Sequence, residues 1–216
     1  ILDTYYSPSA SDTIAGFVQL VLATGNTGMC LRVTDTLTIP FTPAPTLSTP
    51  DSLIICADSI GILLEANVTI SSGVEWTTLG TGVFNPSNFD TTLYLPSNAD
   101  TAAREVVFYA ETYGNGQCKP KYDTTILVIN PAPYILAPDT VYSCSNNATV
   151  TITAEARNAG GLLWASTEGT FLVANNDTAI FQPSVNQINN GWAIVQVTTS
   201  GNDLCNPVTK NVYLEI

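Results

Sequence analysis

Five cysteines recur in register along this chain, and thiol chemistry is what its residue spacing states most directly. Cys30, Cys118 and Cys205 are 88 and 87 residues apart, and Cys56 and Cys144 are 88 apart. Thiols in such a pattern pair as disulfides or hold zinc. Zinc sites draw on histidine or on close CxxC pairs, and the sequence has neither. Disulfides are therefore expected, and with them an oxidising compartment: periplasm, cell surface or medium. The simplest pairing lies within repeats, Cys56 with Cys118 and Cys144 with Cys205, with Cys30 left for a partner outside the sequence. A bridge closing a loop of about 62 residues would contribute roughly 4 kcal/mol in the chain-entropy model.

Other chemistry is sparse. Nucleophilic catalysis needs a base beside an activated Ser, Cys or Thr, and histidine is absent. Carboxylates scatter through turns that recur once per repeat, whereas a glycosidase-like pair belongs in one cleft. The chain therefore reads as no enzyme and as needing no cofactor. Aspartates cluster at loop ends, but no DxDxDG loop occurs and the stretches 43–51 and 131–139 hold one aspartate each. Solvated turn carboxylates account for them better than Ca²⁺ does. Eighteen acidic residues against six basic ones give a net charge of −12. That balance excludes the basic clusters that nucleic acids and anionic membranes require, and no apolar run approaches the roughly 20 residues that span a bilayer.

The elements that must position the cysteines follow from the same repeat. Trp76 and Trp164 are also 88 apart, and Pro8, Pro96 and Pro183 each precede a late cysteine by 22 residues. The repeats run 1–45 (a C-terminal half), 46–133 and 134–216. A 45-residue half unit is too short for a core of its own, which implies that the array continues upstream of Ile1. Apolar residues alternate with period two, as in Val106, Phe108, Ala110 and their counterparts Val18, Leu20, Leu22 and Ala193, Val195, Val197. Alternation of this kind marks half-buried strands. Short strands separated by Gly, Asn, Asp and Pro turns point to all-β tandem antiparallel sandwiches of immunoglobulin-like architecture. Trp76 and Trp164 should fill the space between the sheets. Pro43-Ala44-Pro45 and Pro131-Ala132-Pro133, each followed by Pro50 or Pro138, read as stiff joints between units. Trp192, opposite the inward residues of its strand, should face outward, where an aromatic ring can stack on a sugar or on a neighbouring domain.

The set of motifs resembles the repeats of giant cell-surface adhesins of Bacteroidota, of the gliding-motility SprB type. The carriers are the tryptophan strand followed by Gly-Thr-Gly-x-Phe (Gly80 to Phe84), Tyr-x-Pro (Tyr94 to Pro96), Gly-Asn-Gly-x-Cys (Gly114 to Cys118) and an Asp-Thr-led last strand (Asp123, Thr124). The third repeat keeps Trp164, Gly169-Thr170-Phe171, Pro183 and Gly201-Asn202 but carries Lys210 where the others have Asp35 and Asp123. The resemblance implies a long, type IX-secreted filament on the bacterial cell surface, serving adhesion or gliding, with neighbouring repeats as its partners and polysaccharide or substratum as its target. It also implies O-glycosylation of Ser or Thr after Asp: Thr13, Thr36, Ser52, Ser59, Thr91, Thr101, Thr124, Thr140 and Thr178. The same dipeptide opens strands and turns because Asp bonds its own backbone, so both readings stand. Two alternatives remain: a carbohydrate-binding module of a secreted enzyme, and a surface-layer or matrix protein.

Overall fold

The computed structural model describes residues 3–216. Its architecture is all-β, with two immunoglobulin-like sandwiches in tandem preceded by a two-stranded hairpin. In the first sandwich one sheet runs in the order Ser52–Cys56, Tyr122–Asn130, Glu105–Tyr113, Gly73–Thr78. The facing strands are Ile62–Glu65, Thr91–Leu95 and Val83–Asn85, with Thr46–Ser48 paired to Asn67–Thr69. The second sandwich repeats this order, from Thr140–Tyr142 beside Thr209–Glu215 to Gly161–Ala165 at the far edge.

Period-two alternation produces the cores directly, because every second side chain of a strand points to one face. Val106, Phe108 and Ala110 alternate with more exposed neighbours and pack with Leu64, Val74, Trp76, Tyr94, Leu127 and Ile129. Ala193, Val195 and Val197 do the same in the second sandwich, against Ile152, Leu162, Phe181, Val212 and Leu214. The hairpin of Phe17–Ala23 and Thr34–Pro40 has the matching register but, among the described residues, no facing sheet, and no residue between positions 3 and 44 is buried.

The first strand of each sandwich changes sheets partway. Thr46–Ser48 pairs antiparallel with Asn67–Thr69; past Pro50, Ser52–Cys56 pairs parallel with the last strand, Asn130 opposite Cys56. Pro138 makes the same crossing between Tyr134–Leu136 and Thr140–Tyr142. Proline has no N–H to leave unpaired where the chain passes between ladders. Pro50 and Pro138 therefore lie inside the sandwiches rather than at the joints. A cross-tie holds each crossing: Thr49 donates its amide to Asp123 at 2.8 Å, and Lys210 donates to the Ala137 carbonyl at 2.6 Å. The Asp-to-Lys departure in the third repeat thus reverses the polarity of one tie and keeps the tie. Lys210 also pairs with Asp139 at 2.9 Å.

Short helices, which the alternation pattern does not reveal, occupy the same place in all three repeats: Ala10–Ala15, Asn98–Ala103 and Val185–Asn190. Each opens with a capping box, Ser9 with Asp12, Ser97 with Asp100, Ser184 with Gln187, which satisfies end amides reciprocally. The signal was present as Pro-Ser-x-x-Asp/Gln at the start of each helix.

The two tryptophans are not equivalent. Trp76 is 2% exposed, with its amide bonded to Ser87 and its indole to the Phe89 carbonyl. Trp164 is only half-buried, its indole tied to the Asn175 carbonyl. The strand after it, Thr170–Ala174, is two residues longer than its counterpart Val83–Asn85, so less loop folds over the ring. Trp76→Ala should therefore cost the first sandwich about 3–5 kcal/mol, the usual range for a core Trp, and Trp164→Ala distinctly less in the second. Thermal unfolding of the two variants measures this, and equal losses would contradict the difference in burial.

Candidate functional site

The joint between the sandwiches is where two of the cysteines meet. Cys56 and Cys205 form a disulfide with a Cα–Cα distance of 5.0 Å across a sequence separation of 149. Cys30, Cys118 and Cys144 are free thiols. This corrects the expected pairing of Cys56 with Cys118 and Cys144 with Cys205: the bond links successive repeats, not the two ends of one.

The reason is the parallel pairing of Ser52–Cys56 with Tyr122–Asn130. It carries Cys56 to the downstream pole, level with Asn130. Cys118 lies in the loop ahead of Tyr122, at the upstream pole. The strand between has nine residues, about 26 Å from first to last at the rise of a strand, whereas a disulfide requires Cα atoms within roughly 7 Å. Cys205 occupies the upstream pole of the second sandwich and so faces Cys56 across the joint.

Local turns present these late cysteines. The Cys118 amide bonds the Asn115 carbonyl at 3.0 Å, Cys205 bonds Asn202 at 2.9 Å, and Cys30 bonds Thr27 at 3.0 Å. Gly114 and Gly116 take positive φ of 66° and 60°, a conformation that favours glycine. Around the bond, Asp58 accepts from the amide and side chain of Asn206 at 3.2 and 3.1 Å, and Asn158 donates to the Ala132 carbonyl at 2.9 Å. Asp58 lies close to both sulfurs, but sulfurs joined to each other are not thiolate ligands for a metal.

In the first sandwich two of the motifs converge on one buried carboxylate. Asp100, 4% exposed, accepts from the Thr81, Gly82 and Ser97 amides at 2.8, 2.7 and 2.9 Å and from the Tyr94 hydroxyl at 2.8 Å. Gly80 and Gly82 leave room for it: a Cβ on Gly82 would stand 2.4 Å from the Leu95 carbonyl oxygen, and one on Gly80 2.8 Å from Asp100. Gly-Thr-Gly and Tyr-x-Pro are thus two sides of one corner. Burial opposes the charge on Asp100, but hydrogen bonds from Ser97, Thr81 and Tyr94 outweigh it and hold the carboxyl below its ordinary range. Burial, and then the bond to Asp100, push the Tyr94 hydroxyl up. Tyr6 and Asp12 repeat the pair at 2.5 Å, while Phe181 and Gln187 replace it in the third repeat.

Trp192 is 55% exposed. It lines a groove of about 450 Å³ with Glu168, Asn190, Ile194, Gln196 and Asn211, between the short helix and the outer face of Trp192–Ser200. The equivalent groove of the first sandwich, about 350 Å³, has Glu105 where Trp192 stands and Tyr109 farther along the strand. Of the Asp-Ser/Thr positions, Thr13, Thr36, Ser52, Ser59, Thr91, Thr124 and Thr140 are exposed, and Thr101 and Thr178 are half-buried. Asp35 and Asp123 each bond the following Thr amide at 2.9 Å, as the backbone reading of that dipeptide requires.

No protein-family description matches the chain, and no curated protein matches it. Among solved structures it is similar to immunoglobulin domains 1-5 of Sidekick-1, at 17% identity and a TM-score of 0.44, covering 96% of this chain and 47% of that one. An I-band fragment of titin follows at 12% identity and 0.47, covering 92% and 74%. A Drosophila N-cadherin EC1-4 fragment has 14% identity and 0.43, covering 92% and 57%. The chain spans about half the length of the Sidekick-1 fragment.

Two outcomes are expected. Because the carboxyl of Asp100 is held below its unfolded value of about 3.9, its stabilisation is present above that pH and is lost as pH falls through the native value. Asp100→Ala should cost about 3 kcal/mol at neutral pH, since it strands buried donors, and the gap to the parent chain should narrow as pH falls below about 4. A gap unchanged between pH 7 and pH 3 would remove the carboxylate from the corner. In single-molecule stretching, the oxidised chain should release about 500 Å less contour than the reduced chain, the length of the 149 bridged residues at full extension. Equal lengths would mean that no bond spans the joint.

Proposed function

We propose that this chain is a segment of a long extracellular filament on a bacterial surface, built from tandem β-sandwich repeats at 46–133 and 134–216 and serving reach and attachment without catalysis. The observation that carries this reading is the Cys56–Cys205 bond across the joint. A bridge inside one domain stabilises that domain; a bridge between successive domains fixes their junction and transmits tension past it. Filaments need the second property, and isolated binding modules do not. The acidic surface fits a long element that must stay soluble and self-repelling.

The motif resemblance to Bacteroidota gliding adhesins supports the finer version: type IX secretion, glycosylation at some of the exposed Asp-Ser/Thr positions, and polysaccharide or substratum as the contacted surface. Antibodies raised against this chain should decorate intact cells in extended arrays and reduce their attachment to a surface. Labelling that appears only after lysis would end the surface reading.

A second reading rests on Trp192. An exposed indole in a groove with Asn190, Gln196 and Asn211 has the apolar face and amide groups that pyranose rings bind. A soluble polysaccharide should then alter indole fluorescence in the parent chain and leave Trp192→Ala unchanged. Equal responses in both chains would assign the groove no such role.

A further inference from the structure

The Cys56–Cys205 bond accounts for two of five cysteines, and the repeat says what the other three are for. Cys56 is the early cysteine of one repeat and Cys205 the late cysteine of the next. Cys118 is the late cysteine of the repeat that contains Cys56, and it already sits at a joint. Its Sγ lies 3.6 Å from the Pro43 carbonyl oxygen, and the Sγ of Cys205 lies 3.7 Å from that of Pro131, 88 residues farther on. The two sulfurs hold the same place on successive junctions. Cys144 follows the strand Thr140–Tyr142, paired parallel to Thr209–Glu215 as the Cys56 strand is paired to Tyr122–Asn130. It is therefore carried to the downstream pole of its sandwich, where it is exposed.

We propose that the early cysteine of every repeat is bonded to the late cysteine of the repeat that follows, so that Cys30, Cys118 and Cys144 are positions in a disulfide ladder whose Cys56–Cys205 rung is closed. Cys144 takes the late cysteine of a downstream repeat of the same chain, and Cys30 and Cys118 take early cysteines of upstream repeats. Each rung forms when two thiols lose two protons and two electrons to the disulfide of a thiol oxidoreductase, which becomes a dithiol. The ladder stands independently of what the array adheres to.

The mechanical consequence follows from chain positions. From Pro131 to Cys144 is 13 residues, and from Cys205 to Ile216 is 11. Tension that enters a repeat at its joint passes along the first strand to the early cysteine, crosses to the next repeat, and leaves along that repeat's last strand. Residues between the two cysteines of one repeat lie off this line. At about 3.3–3.6 Å per residue the direct line over two repeats, roughly 24 residues, is about 80 Å. Two sandwiches end to end have about that length, given strands of eight or nine residues plus loops. A laddered array is thus taut before any domain unfolds.

The test is disulfide mapping of the native surface protein, with thiols blocked before digestion and no reductant. The Cys118 peptide should emerge joined to an early-cysteine peptide of the preceding repeat, and the Cys144 peptide to a late-cysteine peptide of the following one. Recovery of Cys118 or Cys144 as blocked thiols, or a bond joining the early and late cysteines of one repeat, would overturn the ladder. A second measurement needs no native material. The chain by itself should take up three alkyl groups, at Cys30, Cys118 and Cys144. Extending it after Ile216 with a further copy of residues 130–216 adds two cysteines and should leave the count at three, because the added late cysteine captures Cys144. A count of five would refute the proposal, as would intermolecular dimers in place of the internal rung. Loss of surface attachment is not read in either measurement, so failure of the filament reading and failure of the ladder remain distinguishable.

Discussion

The parallel pairing of each repeat's second half-strand with its last strand is the constraint on which the joint depends. An antiparallel partner would have returned the early cysteine to the pole where the late cysteine sits, and a bridge within one domain would have been in reach. Parallel pairing sends it to the opposite pole instead. The crossing that makes this possible leaves backbone groups between two ladders, a position where an unpaired amide or carbonyl is costly. Proline removes one donor, and the ties from Thr49 to Asp123 and from Lys210 to Ala137 absorb what remains. That an acceptor in one repeat is a donor in the next shows that the requirement is the tie itself, not a particular charge.

The second organising element is the corner beside each short helix. In the first sandwich Asp100 gathers three backbone amides and a tyrosine hydroxyl, and two glycines exist to let the backbone come that close. In the second, Gln187 caps the helix, Phe181 replaces the tyrosine, and Glu168 takes the Ser184 hydroxyl at 2.6 Å. Both corners keep the same aromatic contact, Phe84 with Tyr94 and Phe171 with Phe181, each at 5.0 Å between ring centroids, and the charged network is added to it in the first sandwich. The motifs that look most like a signature are thus architectural, and the groove that differs in chemistry, the one with Trp192, lies just outside them.

Much of this was legible in the residues. Strict alternation in Val106–Phe108–Ala110 and its counterparts marks the strands because a pleated ladder has period two, and burial on one face is decided by that alone. The outward position of Trp192 follows from the same parity. The short helices were legible in principle, through Ser-x-x-Asp and Ser-x-x-Gln, but six residues are too few to show a 3.6-residue period. The difference between Trp76 and Trp164 was not legible: a loop two residues longer or shorter decides how much of a ring is covered, and spacing carries no record of where a loop folds.

What the sequence determined by itself is the repeat, the sandwich class and the fact that thiols occur in two registers, since these rest on composition and periodicity along one dimension. What the tertiary structure decided is which thiol meets which. Counting favours bridges within a repeat, because that choice leaves one cysteine over instead of three. Distance between poles overrides the count, and the direction of one strand sets that distance.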